Sequence, residues 1–87
     1  MSDLEKAAGE LSAARAEGKS PVELALLCRD TLGSAFGVIS FIAAFRMAFD
    51  VPLHVLQRAQ AWERFGWGSV AISDQEFSDL LSPWLSD

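Results

Sequence analysis

One cysteine, one histidine and seven basic residues are all that this 87-residue chain carries of the side chains most often used for chemistry or nucleic-acid binding. A lone Cys28 cannot form an internal disulfide. One His and one Cys fall short of the three or four ligands that a zinc site draws together at short spacing. His54 has Gln57 and Arg58 as helical neighbours, where a general base would need a positioned carboxylate or nucleophile. Gly66-Trp67-Gly68 lacks the lysine and the preceding strand of a phosphate-binding loop. The start, MSDLEKAAGE, has neither the basic opening nor the apolar stretch of a secretory signal, so the expected location is the cytoplasm. These absences argue against an enzyme and imply no cofactor and no metal.

The basic residues are also badly placed for phosphate binding. Lys6, Arg15, Lys19, Arg29, Arg46, Arg58 and Arg64 are scattered against twelve acids, for a net charge of −5, and define no basic face. Direct contact with DNA or RNA is not expected.

What the chain has in abundance is apolar material, 51% of its residues. Between Thr31 and Phe45 no residue is charged, and Arg46 is the only charge from Ala35 to Phe49. This run is too continuously apolar for a helix with a single buried stripe, and too short for the roughly 20 residues that span a bilayer. At about 100° per residue, Phe41, Phe45, Val38, Phe49 and Ile42 share one sector, and Gly33, Gly37, Ser40, Ala44 and Ala48 form a neighbouring stripe of small residues. Phe36 and Met47 lie beyond it. The rest of the chain, or in part a partner, has to enclose this segment.

Helix signals punctuate the chain. Ser2 with Glu5, Ser20-Pro21-Val22-Glu23 and Ser73-Asp74-Gln75-Glu76 read as capping boxes, the second with proline at the first helical position. Gly18, Gly33 and Gly66 stand where helices end. The pattern predicts helices over 3–17, 21–32, 34–49, 52–65 and 74–81. Only 69–72 alternates at all like a strand. The expected fold is all-α: one domain over 1–87, a bundle of about five short helices around a central apolar helix, 34–49.

The flanking helices should face the core with Leu4, Ala7, Ala8, Leu11 and Ala14; with Leu24, Leu27, Cys28 and Thr31; with Val55, Leu56, Ala59 and Trp62; and with Phe77, Leu80, Leu81 and Trp84. Leu26 is a misfit among Glu23, Arg29 and Asp30.

Charge and aromatics converge on the last third. No basic residue follows Arg64, whereas Asp74, Glu76, Asp79 and Asp87 do. Part of this acidity suits the helix beginning at 74 by complementing its dipole. The other reading is an acidic surface that attracts a basic partner. Trp62, Trp67 and Trp84 lie in the same third. Trp67, between two glycines, either folds over the core or serves as a binding anchor.

The stretch from Phe45 to Trp62, with Phe49-Asp50-Val51-Pro52-Leu53 turning into an amphipathic helix, together with small size and net negative charge, resembles the small acidic helical immunity and antitoxin-type proteins of bacteria. Such proteins bind and block a toxin, often a nuclease. Small phage-encoded inhibitors of bacterial defence share the outline. The resemblance implies a non-enzymatic inhibitor occluding a basic protein partner through Glu63, Trp67, Asp74, Glu76, Asp79 and Asp87. The alternative is a helical self-association or adaptor domain, a homodimer among its forms, supported by Leu26 and the surplus of bulky residues in the third helix.

Overall fold

The computed structural model describes residues 3–67 and 71–85. It is all-α, with α1 over Asp3–Ala16, α2 over Pro21–Leu32, α3 over Val38–Phe49, α4 over Leu53–Ala59 and α5 over Asp74–Leu85; a short 3-10 turn, Gly33–Ala35, joins α2 to α3.

Local chemistry sets most boundaries. The Glu23 amide donates to Ser20 Oγ at 3.2 Å and the Ser20 amide to Glu23 Oε1 at 3.1 Å, the reciprocal cap expected for α2. The same exchange between Ser73 and Glu76 opens α5. Ser2 lies outside the described residues. At Gly33 the backbone turns to φ 54°, which ends α2, and five residues separate it from α3. α3 starts at Val38 rather than at 34, because the Gly37 amide donates to Ser40 Oγ at 2.7 Å and makes Gly37 its cap. Asp50 ends α3 in the left-handed region at φ 55°, a conformation that aspartate tolerates better than most residues.

Two further boundaries differ from expectation. α4 stops at Ala59 instead of reaching 65. Beyond it the Ile72 amide donates to the Ala61 carbonyl and the Glu63 amide to the Ile72 carbonyl, which pairs the chain with residues near α5 as a single parallel bridge between Trp62 and Ile72. Of the strand-like residues 69–72, Ser69 and Val70 lie outside the described residues. α5 instead runs four residues further than predicted. Its Pro83 is exposed, so the ring meets solvent, and the helix passes through it to Leu85.

α1 packs on α2 and α3, α5 on α2 and α4, and α3 on α4 and α2 as well. The core joins Leu11 of α1, Leu24, Ala25 and Cys28 of α2, Phe41, Ala44 and Phe45 of α3, and Phe77 and Leu81 of α5. The six phenylalanine rings form one connected cluster with Trp62 and Trp67. Phe41 lies 4.9 Å from both Phe45 and Phe65, and Trp62 stacks on Phe77 at 4.4 Å. Leu26 corrects its assignment to the polar side: it is half-buried and packs against the core. Among the described residues no helix is long and apolar enough to cross a membrane.

Burial pushes the Cys28 thiol up to about 12, since the thiolate would sit in apolar surroundings. In the unfolded chain the thiol ionises near 9. Above that pH the unfolded state holds fewer protons than the folded one, so this group's contribution to stability falls as pH rises toward 12. Cys28 in the native protein should therefore resist thiol reagents at pH 8 and react at once in denaturant, as a colorimetric thiol assay would measure. Phe45→Ala should cost about 3–5 kcal/mol in chemical denaturation, the range for emptying a buried phenylalanine site.

Candidate protein-docking surface

The acidic residues singled out from sequence come apart in the structure. Asp74 faces inward as an acceptor: Trp62 Nε1–H donates to its Oδ1 at 2.7 Å and Arg64 Nη2 to its Oδ2 at 3.1 Å. Glu76 caps α5 through Ser73, and Asp79 accepts from Gln75 Nε2 at 2.8 Å. Glu76 and Asp79 border one shallow depression with Arg58, whereas Glu63 is exposed in the turns after α4. Asp87 lies outside the described residues. These partners are local: Asp74 and Glu76 act at the start of α5, and Asp79 pairs along the helix.

Trp67 stacks on Phe65 at 4.5 Å and on Phe36 at 5.3 Å, extending the aromatic cluster to the surface, with 37% of the residue still exposed. It lies over the core and keeps one edge in solvent. Trp62 is fully buried as expected. Trp84 is not: the inward position expected for it is corrected by an exposure of 44%. Its side chain borders the place where α1, α3 and α5 all end, together with Met47, Phe49, Asp50 and Arg15. Arg15 is committed there, donating from Nε to the Leu85 carbonyl at 3.1 Å and from Nη1 to the Lys19 carbonyl at 2.8 Å. A cation at converging helix C-termini satisfies orphan carbonyls and complements their dipoles.

The larger departure is on α3. Its inner side, Phe41, Ala44 and Phe45, is fully buried, but no element among the described residues covers the opposite side. Among the described residues, Ile39 is 83% exposed and Met47 52%, and Leu53, just beyond the turn at Asp50, is 45% exposed. Ile39, Ile42, Ala43, Arg46, Met47 and Leu53 enclose an open, almost wholly apolar depression of about 490 Å³. A second hollow continues past Ile39 along Val38, Ala35 and Leu4. Met47 belongs both to this face and to the cleft beside Trp84, so the two are continuous.

Chain enclosure of α3 is therefore one-sided. Large apolar side chains at such exposure, in a contiguous patch, mark interaction surfaces rather than ordinary surface composition. A signal for this was present in the sequence. Arg46 is the one charge in the run, and Ile39, Ala43 and Met47 fall on its side of the helix at i, i+4 and i+8 spacing.

No protein-family model matches the chain, and neither a curated protein nor a solved structure matches it. The surface has to be interpreted from its own chemistry. Among the described residues no group of three or more His, Cys, Asp or Glu side chains is arranged to hold a metal.

Asp74→Ala should leave the Trp62 indole N–H without its acceptor and cost about 1–3 kcal/mol. Asp74→Asn retains an acceptor oxygen and loses only a half-exposed ion pair, so its cost should stay near or below about 1 kcal/mol. Urea denaturation of the two variants measures the difference.

Proposed function

We propose that this protein is a non-enzymatic helical docking module, of the adaptor or self-association class, that works through the outer face of α3. The observation that carries this reading is the uncovered apolar row of Ile39, Met47 and Leu53 around one depression. Covering it would remove apolar area from water at about 25 cal/mol per Å², and the flanking polar residues can stay solvated at the rim. Supporting it from the chemical side, the single thiol is buried and held protonated, and Asp74 and Glu76 of α5 are engaged in holding Trp62 and in helix capping.

A second reading has its own observation. Glu63, Glu76 and Asp79 are exposed, Trp67 keeps an edge in solvent, and the chain carries a net charge of −5. An inhibitor of the immunity or antitoxin type would use that face to meet a basic toxin. Local hydrogen bonds do not remove the field of these carboxylates, so they could still speed association.

The two readings separate in one comparison. The full chain is recovered from the cells that express it as wild type, as Ile39→Ser with Met47→Ser, and as the triple amide Asp74→Asn, Glu76→Gln, Asp79→Asn. Docking through α3 predicts that any bound protein, another chain or a second copy, is lost from the serine variant and kept by the triple amide. The opposite result, with association slowed about tenfold at low salt for the amide, transfers the function to the acidic face.

A further inference from the structure

The exposed row on α3 is self-complementary. Ile39, Ala43 and Met47 form one ridge at four-residue spacing, and its middle member is small and half-buried while its ends are bulky and exposed. A two-fold interface requires one patch to fit itself. Helices that interdigitate their four-residue ridges cross at about 50°, and both members use the same ridge, as two-fold symmetry demands. With the crossing placed at Ala43, the missing bulk there lets the two backbones approach.

Resting on the docking reading, we propose that the occupant of this face is a second copy of the chain: two α3 helices cross antiparallel about an axis at Ala43, and Ile39 of each copy fills the hollow between Ala43, Met47 and Leu53 of the other. Antiparallel packing opposes the two helix dipoles favourably. It also places the two Arg46 side chains on opposite sides of the crossing, where their stems lie over the apolar rim and their guanidinium groups reach water. A parallel crossing would bring them together.

The area sets the strength. The face presents on the order of 400 Å² per copy, as large as the biggest patch on many monomers. A pair buries on the order of 1,000 Å² once the rim is included, at the low end of specific interfaces. The dimer should therefore be weak, with Kd on the order of 10–100 µM. Each copy carries a net charge of −5. Pairing should accordingly tighten as salt screens the repulsion, opposite to the salt response of an acidic face meeting a basic partner.

Sedimentation of the full chain from about 5 to 500 µM, at low and high salt, tests this directly. The mass should move from 9.5 kDa toward twice that value with concentration, and do so at lower concentration in high salt. Ile39→Ser should weaken the association at least tenfold with the melting temperature of the monomer unchanged. Oxidation tests the geometry: an axis at Ala43 brings the two Cα atoms to about 4–5 Å, within disulfide range. Ala43→Cys should then cross-link to itself, and Ile39→Cys should cross-link to Met47→Cys in a mixture, with the buried Cys28 taking no part. A protein that stays monomeric at the highest concentration in high salt overturns the pairing, as does a dimer indifferent to Ile39→Ser. Ile39→Cys cross-linking to itself in preference to Met47→Cys overturns the antiparallel arrangement. A strict monomer whose other protein partner is still lost from the Ile39→Ser, Met47→Ser variant removes the pairing alone and leaves the docking reading standing.

Discussion

The indole of Trp62 is the point on which the fold depends. Its ring stacks on Phe77 at 4.4 Å, and its N–H donates to Asp74 at 2.7 Å. A buried tryptophan contributes a large apolar area only if its one polar atom finds an acceptor. Asp74 satisfies that atom from the first turn of α5, and so docks the start of the last helix against the turns that follow α4. Around this contact the Phe41, Phe65 and Phe77 rings close into one cluster that reaches α3. Two stretches distant in sequence are thereby held by one residue with two kinds of contact.

This arrangement explains why the acidity of the last third is less available than its sequence implies. Asp74 belongs to the core's edge, Glu76 to a cap, and Asp79 to a pair along α5. Their charges contribute to the long-range field, but their geometry is set by the helix they start. Arg64 follows the same logic, pairing with Asp74 while lying 5.7 Å over the Trp62 ring. The surface without such internal obligations is the outer side of α3, where Ile39, Met47 and Leu53 touch solvent in one continuous patch.

An 87-residue chain has few elements with which to cover a helix on every side. Here α1 occupies one flank of α3, and α4, only seven residues long, occupies another. The residues past Ala59 pack on the inner side of α3, where Phe65 meets Phe41 at 4.9 Å, and leave Ile39 and Met47 exposed. The early stop at Ala59 follows from pairing with Ile72, which takes the carbonyl of Ala61 and the amide of Glu63 out of helical reach.

Sequence by itself determined what depends on neighbours along the chain. The Ser20 and Ser73 caps, the stops at Gly33 and Asp50, the all-α class and the inward phase of Phe41, Phe45, Leu24, Cys28, Phe77 and Leu81 all follow from local hydrogen bonding and helical periodicity. Tertiary structure decided the rest. Trp84 shares the phase of Phe77 and Leu81 yet is exposed, whereas Leu85 one residue on is buried, so the last turn of α5 meets the core with its Leu81–Leu85 side. Leu26 lies among charges in sequence yet rests on the core, and Trp67, unconstrained between glycines, is placed by the rings of Phe36 and Phe65. Periodicity gives the angle at which a side chain leaves its helix. Whether anything stands at that angle is set by the lengths and packing of other helices, and on the outer side of α3 nothing among the described residues does.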